Sequence, residues 1–340
     1  MQEKQRENHS LTFYVQQEET KMRLDKFLTQ KLGLSRNQIS KIIQEKQITL
    51  NGVFIQKNGT SLNFNDQIIL TLPNKQEKSK PNHLNIPILY EDEDLLILNK
   101  PINLIVHQTH QDDSQYTLQD WLQENNFSLS NLGDSYRQGI IHRLDKTTSG
   151  AIVIAKNNYA HEILSQQLKS KEMGRYYVCV IDSPLKQNIL IDAPLIRHPK
   201  NRLKYIPTTK DTPLSKEAKT AFFKIINNDK IELIGAKLFS GRTHQIRAHL
   251  SKIQRHILGD VFYGYKGNYT ARILLHSHLV YLTHPTTKQR LEIYAPLWED
   301  MLLFLHQEFY SSQSYENFAK NFKIPLEQLY WLNFQTSNLS

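Results

Sequence analysis

The sequence predicts an α+β protein: a mixed, largely antiparallel sheet with flanking helices, preceded by a small N-terminal α/β module. Three observations predict it. Between residues 88 and 310, strand-like runs (LLILNK, GAIVIAK, YYVCVI, TAFFKII) alternate with helical stretches (LQDWLQENN, YAHEILSQQL). Their spacing is not a regular βαβ repeat and no GxGxxG follows a strand, which argues against a nucleotide-binding parallel sheet. Residues 21–72 carry their own apolar pattern and a concentrated basic charge, set apart by a polar stretch with prolines.

Along the chain, residues 1–20 are polar and expected to be disordered. The stretch Arg23-Leu24-Asp25-Lys26-Phe27-Leu28 begins a short helix with Leu24, Phe27 and Leu28 on one stripe. Ser35 and Gln38 have the form of a capping box, and the helix after them buries Ile39, Ile42 and Ile43 while leaving Arg36, Lys41 and Lys46 outside. ITLNG reads as a strand and turn, with a second strand near Gln67–Leu70. Residues 73–87 form a linker, 88–310 the main domain, and 311–340 a helical extension bent around Ile324-Pro325.

The 340 residues include 42 Lys and Arg against 33 Asp and Glu, a net charge of +9. Residues 21–80 hold 11 of those bases and 4 of the acids, an excess of 11 − 4 = +7. That concentration points to a polyanion partner, with nucleic acid ahead of a membrane surface. No apolar run approaches the roughly 20 residues that span a bilayer, and MQEKQRENHS is polar and acid-containing, unlike a signal or transit peptide. A cytoplasmic monomer is the expectation. The single cysteine, Cys179, lies in YYVCVI and reads as a small buried side chain.

The chemistry concentrates in GIIHRLDKTTSG, residues 139–150. Two readings compete for it. Arg143 and Asp145 could be an exposed ion pair where a strand runs out to the surface, contributing about 0–1 kcal/mol. Alternatively, Asp145 is a catalytic carboxylate held at a strand end. Metal chemistry finds no support: His244, His249 and His256 lack zinc-helix spacing, no HExxH or CxxC occurs, and no cofactor motif is present.

Further stretches decide between the two. GRYY at 174–177, GRTHQIRAHL at 241–250 and LGDVFYG at 258–264 follow GIIHRLDKTTSG in order; DLLILNKP with Val106-His107 precedes it. Together they resemble the RluA-type pseudouridine synthases, with Arg272-Ile-Leu-Leu-His276 and Leu282-Thr-His284-Pro285 similar to the end of that domain. Residues 22–70 resemble an S4 RNA-binding domain through RLDKFL, SRNQISKII and ITLNG.

The resemblance implies a pseudouridine synthase catalytic fold joined to an S4-like domain, acting without metal or other cofactor. It implies isomerisation of uridine in structured RNA, with large-subunit ribosomal RNA favoured, tRNA the alternative, and a non-catalytic RNA-binding assembly factor the reading from another class. By resemblance Asp145 is the catalytic carboxylate, Arg247 the guanidinium that keeps it ionised, and Tyr177 the ring that holds the extruded uracil. Arg143 is the residue that fills the gap left by the flipped base. His142 and Arg242 read as RNA-facing or supporting groups, and Arg23, Lys26, Arg36 and Lys41 as the basic surface of the S4-like domain.

Isomerising uridine breaks and remakes a bond to the sugar, chemistry for which a carboxylate suffices. A carboxylate shielded from water needs a permanent cation beside it, and guanidinium cannot lose its proton. Asn103 and Asn65 stand where the two family patterns carry glycine, and asparagine is expected to keep those left-handed turns. Lys46 replaces glycine with less tolerance. The extension at 311–340 has no counterpart in the family pattern and reads as a flap packed on the catalytic domain.

Overall fold

The computed structural model describes residues 10–33, 36–44, 47–71, 80–81, 84–108, 115–132, 137–209, 212–322 and 324. The chain divides into two units, Met1–Glu77 and Lys78–Ser340.

In the first unit, two nine-residue helices, α1 (Leu24–Leu32) and α2 (Arg36–Gln44), pack on a four-stranded sheet. Its strands are β1 (Ser10–Tyr14), β2 (Ile48–Leu50), β3 (Val53–Phe54) and β4 (Gln67–Thr71), in the order β1-β4-β2-β3 and antiparallel throughout. The apolar stripes meet in one core of Leu24, Phe27, Leu28, Ile39, Ile43, Ile48 and Ile68. Gly33, left-handed at φ 66°, ends α1 and returns its N–H to the Thr29 carbonyl. Asn51 and Gly52 both have positive φ, the geometry that a tight hairpin needs.

One expectation fails here. Residues 10–20 are not disordered: β1 pairs with β4 over five residues, and Phe13 sets its ring edge-on to Phe27 at 6.3 Å. SLTFY is rich in residues that suit a pleated, half-buried surface, and β4 would otherwise keep an open edge. The capping box at Ser35 and Gln38 and the turn at Lys46 lie outside the described residues. Asn65 and Asn103 are both left-handed, at φ 67° and 62°, as their chemistry allows.

The second unit is built on a nine-stranded sheet. Its strands are β5 (Ile88–Glu91), β6 (Leu95–Lys100), β7 (Ser149–Ala155), β8 (Gly174–Ile181), β9 (Ile189–Asp192), β12 (Lys219–Asn227), β13 (Glu232–Leu238), β14 (Leu275–Thr283) and β15 (Arg290–Tyr294). They run β5-β6-β7-β14-β8-β13-β12-β9, with β15 also on β14. Every pairing is antiparallel except β7 with β14. A two-stranded hairpin, β10 (Leu195–Arg197) with β11 (Tyr205–Pro207), stands apart from the sheet. β6, β7 and β8 are buried along their whole length, hence their unbroken apolar runs; helices pack on both faces of β6 and β7.

Alternation along β6 distributes the packing. Leu96 and Leu98 join the cluster that holds α3 (Leu118–Glu124), α5 (Gln245–Lys252) and α6 (Glu299–Phe309), while Leu95 and Ile97 join that of α4 (Asn158–Ser170). At the parallel seam Gly150 has φ 113°, and a Cβ there would stand 2.3 Å from the Ser277 carbonyl oxygen, so only glycine lets β7 and β14 approach. Cys179 is buried and free.

Two more expectations need correction. The end of the expected linker belongs to the second unit, since Ile86 is buried in its main core and the Pro87 carbonyl accepts the Asn99 N–H. GIIHRLDKTTSG is not a strand with charges at its far end. Only Ile140 bridges, to Ile154, and residues 141–148 form a loop that enters β7 at Ser149. The β7 donor that a neighbouring strand would take, Val153 N–H, is given to the His142 imidazole instead. Of the expected C-terminal helix pair, α7 (Tyr315–Asn321) is described and buries Phe318 against Tyr310 and Phe322; the second helix lies outside the described residues.

Candidate active site

Loop 141–148, β8 and α5 meet around one cavity lined by Arg143, Asp145, Arg175, Tyr177, Arg242 and Arg247 among others. Asp145 reaches it from a turn closed by Thr148 N–H donating to its own carbonyl at 3.0 Å. Its side chain is 19% exposed, so one edge is open to a ligand.

Arg247 is on the first turn of α5 and faces Asp145 across 3.5 Å, Nη1 to Oδ2. The rest of its fork goes elsewhere. Nε and Nη2 donate to Oδ2 and Oδ1 of Asp260 at 2.7 and 2.8 Å, and Asp260 is fully buried. Asp260 in turn caps the short turn Val261–Tyr263, whose Tyr263 ring lies 4.8 Å from the guanidinium. Burial works against the charge on Arg247, but hydrogen bonding to Asp260 and attraction to both carboxylates outweigh it and raise its pKa.

His244 joins from the position before α5, in left-handed backbone at φ 57°. Its Nε2 lies 3.8 Å from Asp145 Oδ2 and its Nδ1 3.2 Å from the Tyr263 hydroxyl, which also accepts the Tyr205 N–H. Burial lowers its pKa despite the neighbouring Asp145 carboxylate, so it is a neutral imidazole at neutral pH. A non-glycine residue held left-handed at a cavity wall is strain that the surrounding contacts overcome.

Tyr177 sits on β8 between Ala236 and Ser277 and is buried. Burial pushes its phenol pKa up, with the Asp145 charge adding to the effect and Arg175 opposing it. It therefore meets a ligand as a neutral ring with a proton to donate. Lys100, in NKP, is fully buried and donates to the Pro101 and Leu104 carbonyls at 2.7 and 2.9 Å. Burial lowers it to about 7 although Asp145 pulls the other way. Cys179 follows Tyr177 by two positions on β8, but only the tyrosine lines the cavity.

Arg143 and Arg242 are exposed at the rim, Arg242 donating from Nε to the Glu217 carbonyl at 3.0 Å. His142 is 7% exposed and its Nε2 accepts the Val153 N–H at 3.1 Å, a supporting position. Burial keeps it neutral, so its role is to hold the loop that carries Arg143 and Asp145. In the first unit Lys26 is exposed, while Arg23 is exposed but tied two-pronged to Asp25 at 3.1 and 2.8 Å. The side chains of Arg36 and Lys41 lie outside those described. Among the described residues no three His, Cys, Asp or Glu side chains converge as a metal site would require.

His244, which lines the cavity, and Asp260, which holds Arg247 from behind, carried no role in the sequence reading. Both lie in motifs already singled out, GRTHQIR and LGDVFYG, and the unused signal was an acid and an imidazole among residues otherwise explained by chemistry or packing.

The comparisons with known proteins agree with this geometry. Residues 94–252 match the family model described as RNA pseudouridylate synthase, and residues 22–68 match the S4 domain. The chain belongs to the RNA pseudouridine synthases and carries an S4 RNA-binding domain. It is 45% identical over 295 residues to an uncharacterised RNA pseudouridine synthase of Helicobacter pylori, covering 84% of this chain and 90% of that protein. It is 30% identical over 285 residues to the ribosomal large subunit pseudouridine synthase D of Xylella fastidiosa, covering 80% and 84%. The fold is similar to that of human RNA pseudouridylate synthase domain containing 1, with a TM-score of 0.53 at 21% identity over 73% of this chain and all of that one.

Proposed function

We propose that this enzyme converts uridine to pseudouridine in large-subunit ribosomal RNA, with Asp145 as the carboxylate that acts on the sugar–base bond. The observation that carries the role of Asp145 is its contact with Arg247, a cation that burial cannot neutralise, at the open edge of the cavity. A fixed positive charge thus faces the carboxylate where a ligand would meet it. The neutral Tyr177 ring offers a surface for the extruded uracil. Extruding the base costs a few kcal/mol, and Arg143, exposed at the rim two residues from Asp145, is placed to steady the gap. The preference for ribosomal RNA rests on the S4 domain, with Lys26 and Arg23 on its surface, and on the likeness to the Xylella protein. Such a substrate puts the enzyme in the cytoplasm.

The test is release of tritium from RNA carrying 5-tritiated uridine, comparing wild type with Asp145→Asn. Large-subunit ribosomal RNA, an immature large-subunit particle and tRNA are supplied in parallel. Release from ribosomal RNA or the particle, lost in the variant, is the expected result. Release from tRNA alone would replace the substrate, and release by Asp145→Asn at the wild-type rate would remove Asp145 from the chemistry.

A further inference from the structure

The cavity holds one buried guanidinium that, among the described residues, has no counter-charge. Arg175 precedes Tyr177 by two positions on β8, so both side chains leave the same face of the strand and both line the cavity. Arg175 is 6% exposed and its Nε is buried with no hydrogen-bond partner. Among the described residues it has no carboxylate within ion-pair distance. The wall opposite is shaped around it: a Cβ on Gly241 would stand 2.8 Å from Arg175 Nη2. The neighbouring cations are committed elsewhere. Arg247 is held by Asp260, Lys100 donates to two carbonyls, and Arg143 and Arg242 stand at the exposed rim.

A guanidinium cannot shed its proton, so a buried one without an acid leaves donors that an incoming oxygen must satisfy. The proposed reaction supplies that oxygen. When the C1′–N1 bond breaks, its electron pair stays with the base, and the resulting uracil anion spreads charge onto O2 and O4. A ring pair at C5 then forms the C1′–C5 bond, C5 gives up its proton and N1 takes one, so the composition is unchanged and no further reagent is needed. We propose that Arg175 is a catalytic residue that donates to an oxygen of the departing uracil and stabilises its negative charge. This rests on the reading of the cavity as the uridine site. A backbone phosphate fits less well, because it would meet the exposed Arg143 and Arg242 first, whereas a buried arginine beside Tyr177 is reached by the group that enters deepest.

The full-length enzyme is tested in single turnover on one target RNA carrying either uridine or 5-fluorouridine at the modified position. Fluorine withdraws electrons and stabilises the base anion by itself, so it should replace part of what Arg175 supplies. Arg175→Met is expected to slow consumption of uridine about 100-fold, with RNA affinity within about twofold of wild type. Because C5 of 5-fluorouridine has no proton to lose, the rate read on both RNAs is cleavage of the C1′–N1 bond; with 5-fluorouridine the same variant should lose only about tenfold, and Arg175→Lys should fall between wild type and Arg175→Met on both RNAs. A purely structural role would slow both RNAs equally, and a phosphate contact would appear as weaker RNA binding at an unchanged rate; either result overturns the proposal. Should Arg175→Met fail to fold, Arg175→Lys carries the same comparison of the two RNAs. Wild-type turnover with no loss in either variant rejects Arg175 alone, whereas a wild type that consumes no uridine rejects the uridine-site reading with it.

Discussion

Arg247 gives two of its nitrogens to Asp260 and only Nη1 to Asp145, at 3.5 Å. The cation beside the proposed catalytic carboxylate is thus anchored from behind by a second, fully buried acid. Substituting Asp260→Asn removes the charge that neutralises a buried guanidinium, and breaking such a pair costs about 3–5 kcal/mol. Urea denaturation should show that loss, together with slower turnover as Nη1 drifts from Asp145. A stability change below about 1 kcal/mol would mean that the pair is not what holds Arg247.

Arg247→Lys keeps the charge but cannot serve both acids, because a single ammonium lacks the planar fork. Turnover should fall about 100-fold while RNA affinity stays near wild type. Near-normal rates would show that charge alone is enough beside Asp145.

Acid should weaken the fold in a particular window. Burial pushes His107 and His278 down to about 4, so both remain neutral in the folded chain while the unfolded chain takes up protons near 6.5. Their contribution is complete above pH 6.5 and is lost as pH falls toward 4. His278 sits against the Ala295 carbonyl, and His278→Gln should flatten this loss by about 1.4 kcal/mol per pH unit. Equal slopes for variant and wild type between pH 6.5 and 4 would disprove it.

The described part of the extension, residues 311–322 and 324, is packed, not appended. Phe318 is buried against Tyr310 at 4.8 Å and Phe322 at 4.9 Å and belongs to the main core. Phe318→Ala should cost about 3 kcal/mol in thermal unfolding, with the choice of target uridine unchanged. An unaltered melting temperature with a different modification pattern would make α7 a recognition element instead.

RNA affinity should fall steeply with salt through release of counterions. Lys26, exposed and without an acid tie among the described residues, should contribute about one unit to the slope of log affinity against log salt, and Lys26→Ala should remove it. Arg23, already held two-pronged by Asp25, should contribute less. A slope that Lys26→Ala leaves unchanged would place the RNA on another surface of the S4 unit.

The motifs carried the family, the mixed sheet and the two-unit order, because each depends on local patterns: apolar periodicity, turn residues, and the residue types the reaction needs. They also placed Asp145, Tyr177 and Arg247 in one cavity. Legibility failed where partners are remote or where a polar residue is buried. β1 was missed because a short strand in a polar stretch becomes visible only through its partner β4, more than fifty residues on. The partner of His142 was not legible, because a basic-looking residue between charges gives no sign that its imidazole takes a backbone donor of β7.

From the sequence alone came the chemistry that must be present: a carboxylate, a cation that stays charged, a ring, and a basic RNA-binding module. Only the tertiary structure decided which groups answer one another. It gave the fork of Arg247 to Asp260, set a neutral His244 beside Asp145, and left Arg175 buried without an acid. The physical reason is that residue type fixes what a side chain can donate, accept or carry, whereas its charge state and usefulness depend on burial and on neighbours brought together by strands and loops distant in sequence.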